Sequence, residues 1–273
     1  MESRDIFRYI NEQDKTTLNR IIERMEFRGK NPVFRGWLME YLGKLNVTAM
    51  GEVLALGCGT GVEIRYLLSQ PDFFGRAVGI DVSPELIDAA YNYSVAEGVD
   101  GRVEYYIGDV HNLEFDNDRF EAVIAHTLIS HVAEPADVLR EAARVVKPGG
   151  QVFIFDGDYA SWSFGYSDPE FGKTMEEAVI ASIVNNPRVM RILPRMIQEA
   201  GLRLASVTPH HLAEVGNGDF FMSAIDSYGS LPGKLGLLPE DKVADWIDEQ
   251  RRNHEEGIFF ASGNYYTYEA KRE

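Results

Sequence analysis

The run Val53-Leu-Ala-Leu-Gly-Cys-Gly-Thr-Gly61 constrains this chain more than any other stretch. Four apolar residues suited to a strand buried on both faces lead straight into alternating glycines, and the residues beyond Gly61 read as helix. Gly57, Gly59 and Gly61 put no side chain between the backbone and whatever lies against it. The helix start after them offers unpaired N–H groups to a polar ligand. Taken alone, the stretch fits a tight structural turn as well as a ligand-binding one, so its meaning depends on the residues that the rest of the chain brings to it.

From residue 52 onward, apolar runs alternate with amphipathic stretches, the pattern of a parallel sheet wound with helices. Strands are expected at 53–56, 77–80, 103–107, 122–125, 151–155 and 202–208. A last aromatic strand at 258–268 can pair antiparallel at the sheet edge. Helices fall at 62–68, from Ser83 to about residue 96, at 135–145 and at 187–200. Ser83-Pro84-Glu85 supplies a capping hydroxyl, a proline at the first helical position and an acid in the first turn, while Lys147-Pro-Gly-Gly150 stops the helix before it. Residues 157–172, aromatic and rich in turn formers, read as a loop over the ligand side.

Composition narrows the function classes. Asp and Glu number 43 against 27 Lys and Arg, a net charge of -16. That field repels phosphate backbones and anionic lipid, so neither nucleic acid nor a membrane is an expected partner. Cys58 is the single cysteine, which excludes an intramolecular disulfide and a cysteine metal cluster; it reads as a small packing residue. No apolar run reaches the roughly 18 residues of a membrane span, and Met1-Glu-Ser-Arg-Asp5 lacks the features of a signal peptide, so a soluble cytoplasmic protein is expected. His210-His211 does not suggest a metal site, because neighbours on an extended strand point opposite ways.

The glycine turn gains meaning from two acids. Asp81 closes the second strand 20 residues after Gly61, where a carboxylate can accept both hydroxyls of a ribose. Its structural alternative, capping the next helix, is already filled by Ser83. Asp109 closes the third strand and suits an adenine amino group, with a plain turn aspartate as the alternative. Two acids along the cleft, and no base in the glycine turn, favour a neutral or cationic nucleoside over a phosphate-rich one.

With Arg144-Val-Val-Lys-Pro-Gly-Gly150 added, residues 50–156 resemble the class I S-adenosylmethionine-dependent methyltransferases in order and spacing. The flanks, including Phe259-Phe-Ala-Ser-Gly-Asn-Tyr-Tyr266, look like small-molecule members of the ubiquinone/menaquinone-biosynthesis type. The expected fold is α/β, a doubly wound seven-stranded sheet, mostly parallel with an antiparallel last strand. One domain over 1–273 would comprise a helical cap at 1–48, a cofactor-binding core at 49–210, a helical insertion or lid at 211–257 and a final edge strand at 258–273. The resemblance implies that Gly57, Cys58 and Gly59 approach the methionine part of S-adenosylmethionine and that Asp81 holds the ribose. It further implies that Val82 lies on the adenine face, that Asp109 and Val110 flank the adenine, and that His126 and Thr127 face the sulfonium and the methionyl group. Ala55 stands where the family often has an acid, so a common polar support for the methionine moiety is missing. Arg28, just before the helix that leads into the first strand, is a candidate for the cofactor carboxylate.

Methyl transfer from a sulfonium is a direct displacement, so alignment and exclusion of water matter most. His126 is the candidate base for an acceptor that must lose a proton, or else a hydrogen-bonding partner of cofactor or backbone. His131 reads as structural. Asp156 and Asp158 sit after the fifth strand, where they either orient a substrate or cap a turn. The aromatic residues of 159–171, with Phe220, Phe221, Met222 and Tyr228, suggest either a lid over a partly apolar acceptor or side chains that pack the extra helices on the sheet. The expected function is methyl transfer from S-adenosylmethionine to a small molecule by a monomer or homodimer. Two alternatives stay open: a protein that binds the cofactor without transferring the methyl, and a nicotinamide-dependent dehydrogenase, in which Asp109 and the 147–150 turn have no role.

Overall fold

The computed structural model describes residues 5–48 and 51–273, so the first four residues of the expected cap fall outside it, as do residues 49 and 50. Seven strands are present: β1 (Glu52–Leu56), β2 (Arg76–Asp81), β3 (Val103–Ile107), β4 (Phe120–His126), β5 (Val146–Phe164), β6 (Leu202–Gly216) and β7 (Phe259–Arg272). They form one sheet in the order β3-β2-β1-β4-β5-β7-β6. The first five run parallel to one another, and β7 is antiparallel to both β5 and β6.

The central strands are sealed on both faces because successive side chains point to opposite sides. Val53 and Ala55 of β1 join Phe153 and Phe155 of β5 in one core, and Leu54 and Leu56 join Val152 and Ile154 in the other. The first face is covered by α2 (Pro32–Leu42) and α3 (Val62–Leu68), through Phe34, Leu38, Ile64 and Leu67. The second is covered by α5 (Pro135–Val145) and α7 (Val189–Glu199), through Val138, Leu139, Leu193 and Ile197. Burying a side chain of this size stabilises by about 1.5–3 kcal/mol, which is why the uninterrupted apolar run of β1 can only be a central strand.

The cap is α1 (Lys15–Lys30) followed by α2. Asn31 breaks them apart by accepting from the N–H groups of Val33 and Phe34 at 3.0 and 3.4 Å, with Pro32 at the first helical position. A buried ion pair bolts α1 to the core: Glu26 meets the Arg65 guanidinium of α3 at 2.8 Å and accepts from the Thr60 hydroxyl at 2.6 Å. Behind the glycine turn, Ser83 and Pro84 start α4 (Pro84–Ala96) as the sequence predicts.

Three expectations need correction. The last strand is not at the edge: β7 lies between β5 and β6, and β6 is the edge strand. Pro209 explains the order, since a residue without an N–H suits a strand bonded on one side only, whereas β7 has no proline and bonds on both. Residues 157–164 are not a loop but the second half of β5, paired with β7 across an irregularity between Asp158 and Ser163. A helix absent from the sequence reading comes next, α6 (Pro169–Ile183), capped by Asp168. The helical insertion begins after Gly216 rather than at 211, because β6 carries His210 and His211 in its ladder with β7. It comprises α8 (Asp219–Tyr228), α9 (Leu231–Lys234) and α10 (Glu240–Glu255).

Candidate functional site

The carboxyl ends of β1, β2, β3 and β4 converge on one side of the sheet, and the cap closes over them. The backbone turns at Gly57 with φ +56°, where a Cβ would stand 2.4 Å from Leu128. At Gly59, with φ +50°, a Cβ would meet Met25 Sδ of α1 at 2.9 Å. Both positions therefore require glycine, for backbone conformation and for the approach of the cap.

Asp81, at the end of β2, is 7% exposed. Its carboxylate accepts from Gly59 N–H at 2.9 Å and Ser83 N–H at 3.0 Å, so it locks the glycine turn to the next helix. Burial raises its pKa, against the pull of those N–H groups. Asp81 also borders a cavity of about 260 Å³ together with Gly57, Val82, Leu86, Asp109 and Val110. This is the acid-and-apolar lining the sequence reading assigns to a nucleoside. The cap reaches here too, where Asn11 Nδ2–H donates to the Val82 carbonyl at 3.0 Å. Asp109 is bonded to His111, through the backbone N–H at 2.9 Å and Nδ1 at 2.6 Å, and His111 borders the same cavity.

A second, smaller cavity of about 40 Å³ lies on the other side of the turn, bordered by Gly57, Cys58, Gly59, Arg28, Glu63 and His126 among others. Cys58 is buried and burial drives its thiol well above the ordinary range, so it packs there as a neutral group. Arg28 Nη2 donates to Thr127 Oγ1 at 2.8 Å. Thr127 holds a left-handed backbone, φ +53°, rare for a residue with a β-branched side chain, and it borders both cavities. His126 Nδ1 is 2.8 Å from the Tyr41 hydroxyl, and its ring stacks on Phe155 at 4.8 Å. Burial, with Arg28 nearby, holds the imidazole well below its ordinary pKa, so it is neutral at pH 7.

Glu63, in the first turn of α3, is 4% exposed and borders this cavity. Burial pushes its carboxyl up to about 7, against its own backbone N–H, Arg65 and Arg28. Ala55, where the family often has an acid, is sealed in the core at 1% exposure.

Asp156 and Asp158 are not brought to either cavity. Asp156 is fully enclosed and accepts from Ser130 N–H at 2.9 Å, Ser130 Oγ–H at 3.0 Å and Gly157 N–H at 2.8 Å. Asp158 receives Arg191 Nε–H at 3.0 Å. Because β5 continues as a strand past residue 155, both carboxylates serve neighbouring backbone and helix instead of an open edge. His131 pairs with Asp5 at 2.9 Å; burial opposes its charge, yet Asp5 raises its pKa above the ordinary value. His210 bonds Thr267 and His211 bonds Asn264, each at 2.9 Å, one ring buried and the other exposed. Among the described residues no group of three or more His, Cys, Asp or Glu side chains could hold a metal ion. No helix among them is long and apolar enough to cross a membrane.

Four site residues escape the sequence reading: Glu63, Tyr41, His111 and Arg24. Two had a signal. Glu63 is an acid two residues after the last glycine, and Arg24 falls three residues after the core residue Ile21 on the inward face of α1.

Comparison with known proteins gives the family and the fold. A family described as a methyltransferase domain matches residues 54–154, the segment that carries the glycine turn, Asp81, Asp109 and His126. A 37.1 kDa protein of a Streptomyces fradiae transposon is 31% identical over 175 residues, 64% of this chain and 50% of that one. The chain thus spans half the length of that relative. Methyltransferase GfsG of Streptomyces halstedii is 28% identical over 206 residues, covering 75% of this chain and 71% of that one. In structure, a Bacillus halodurans C-125 protein assigned as a methyltransferase superposes with a TM-score of 0.63 at 20% identity, over 86% of this chain and 98% of that one, which shows the shared fold.

Proposed function

We propose, from the premise that residues 54–154 are a class I S-adenosylmethionine-dependent methyltransferase domain, that this protein moves the cofactor's methyl group to a small, partly apolar molecule by direct displacement. The observation that carries the reading is the cavity of about 260 Å³ framed by Asp81, Val82, Asp109 and Val110 directly against the glycine turn. When bound, S-adenosylmethionine supplies an electrophilic methyl on its sulfonium. The residues present fit it. Asp81 keeps acceptor capacity for ribose hydroxyls, since a carboxylate has about four lone-pair sites, and Val82 and Val110 offer apolar faces to an adenine. Arg28 takes the carboxylate of the methionyl group. Glu63 takes its ammonium, in place of the acid absent at position 55.

The chain's own part in the reaction is alignment and dryness. Neutral His126 can accept a proton at Nε2 when its Nδ1–H donates to the Tyr41 hydroxyl oxygen. That limits it to acceptors whose proton lies on the cavity side. The cap and α8 shield the site together: Arg24 of α1 donates to Ser223 Oγ of α8 at 3.0 Å and lies over the Phe220 ring at 4.4 Å. An aromatic chamber beneath them, of about 60 Å³, is bordered by Tyr159, Trp162, Phe220, Tyr228 and Tyr265. A chamber this small receives an acceptor by parting α1 from α8.

The test is calorimetric titration with S-adenosylhomocysteine, followed by detection of its release from S-adenosylmethionine over a panel of small acceptors. Failure to bind it, or a fluorescence gain with NADH instead, ends the reading. Binding without transfer over the panel selects the cofactor-binding, non-methylating alternative.

A further inference from the structure

The aromatic chamber contains a charge for which the described residues supply no ion-pair partner. Arg24 is 9% exposed, and its guanidinium touches the Ser223 hydroxyl, the Phe220 ring and the Tyr228 hydroxyl. Neither Arg24 nor Arg28 makes an ion pair among the described residues, in contrast to Arg65, which meets Glu26 at 2.8 Å. The carboxylates nearest the chamber are engaged elsewhere. Asp5 pairs with His131 and receives the Asn185 N–H, and Asp156 is closed by Ser130 and Gly157. Withdrawing a guanidinium from water without a counter-charge is costly. A chain with 43 acidic and 27 basic residues buries a cation here with no ion pair among the described residues all the same.

The two arginines divide the space. Arg28 borders both the cavity beside the glycine turn and the chamber, whereas Arg24 borders the chamber alone. Three tyrosine hydroxyls of the chamber stay able to donate. Burial raises the pKa of Tyr159, Tyr228 and Tyr265, which keeps their hydroxyls protonated. The Trp162 indole N–H is buried and directed at the Tyr265 hydroxyl, without a well-formed hydrogen bond. Donors and a cation set in aromatic walls select an anion attached to an apolar body.

We propose that the methyl acceptor is a carboxylic acid with an aromatic or similarly flat apolar body, and that Arg24 binds its carboxylate. This rests on the reading that the site transfers a methyl group to a small molecule. Arg28 then answers the carboxylate of the cofactor and Arg24 that of the acceptor. Thr127, which borders the chamber and both cavities beside the glycine turn, marks where acceptor and cofactor meet.

The experiment uses the full chain saturated with S-adenosylhomocysteine and titrates benzoate and 4-hydroxybenzoate against benzamide and 4-hydroxybenzamide. The acids should bind at least about tenfold more tightly than the amides. Arg24→Gln should abolish that preference and Arg24→Lys should restore part of it, with S-adenosylhomocysteine affinity within about twofold of the parent in both. Acids and amides bound alike, none bound up to about 10 mM, or a preference that survives in Arg24→Gln overturns the proposal. A parent protein that fails to bind S-adenosylhomocysteine refutes the cofactor reading instead, and the first titration reveals it before any acid is added.

Discussion

Replacing Glu63 with Gln should stabilise the empty protein at alkaline pH and weaken its hold on the cofactor. The carboxyl is buried, and its pKa is raised from 4.5 to about 7. The folded protein therefore holds this proton more tightly than the unfolded chain does, and the stability tied to it is fully present below pH 4.5 and lost as pH rises through 7. At about 1.4 kcal/mol per pH unit, the ionised carboxylate costs the fold on the order of 3 kcal/mol at pH 8. A glutamine of the same shape has no such cost. Urea unfolding of parent and Glu63→Gln across pH 4.5 to 8 should show near-equal stability at the acid end and a variant more stable by about 2–4 kcal/mol at pH 8. With cofactor, the sign reverses: an ammonium beside the carboxylate favours its charged form, so S-adenosylhomocysteine should bind the variant about tenfold or more weakly. Binding at pH 7 should also release up to about half a proton in the parent and none from this group in the variant, measured by calorimetry in buffers of different ionisation enthalpy. A stability difference that stays flat with pH would show that Glu63 is not a strained buried acid. Unchanged affinity for S-adenosylhomocysteine, with intact binding of 5′-methylthioadenosine, would remove it from the methionyl site.

Three further outcomes are expected from the geometry. Asp81→Ala removes the acceptor for Gly59 and Ser83 and for the ribose, and should weaken S-adenosylhomocysteine binding by about 1.5–3 kcal/mol; titration that finds less than a threefold loss would refute the ribose assignment. His126→Ala should lower turnover on an identified acceptor by about 100-fold or more if the imidazole takes a proton, and retained turnover would leave Tyr41 and His126 a structural pair. Asp156→Ala strands the Ser130 and Gly157 donors and should cost about 1–3 kcal/mol or more in chemical unfolding, with cofactor affinity within about twofold of the parent. A selective loss of turnover in that variant at unchanged stability would return Asp156 to the substrate side.

The convergence of the glycine turn, Asp81 and Asp109 on one cavity was legible in the sequence because these residues sit at fixed offsets from strand ends. Gly57, Asp81 and Asp109 lie at or just past the ends of β1, β2 and β3, and parallel strands bring their carboxyl ends to one edge whatever else the chain does. Periodicity located β1 to β4 for the same local reason. Of the aromatic chamber, the sequence offered Tyr159, Trp162, Phe220 and Tyr228 only as lid aromatics and gave no role to Arg24 or Tyr265, because the chamber is assembled from α1, β5, α8 and β7, which only the folded chain brings together.

What the sequence alone determined is the alternation of buried strands and amphipathic helices, the glycine turn and the acids that face it, each fixed by neighbours a few residues away. Tertiary structure decided the rest. It put β7 inside the sheet and β6 at the edge, since strand order depends on which ladder finds donors on both sides. It made Asp156 and Asp158 internal clamps by extending β5. It also converted Glu63 and Arg24, ordinary helix charges in the sequence, into a buried acid and a buried cation with no ion pair among the described residues, because the energy of a charge is set by the water it loses and the partners it meets, and both are properties of the folded chain.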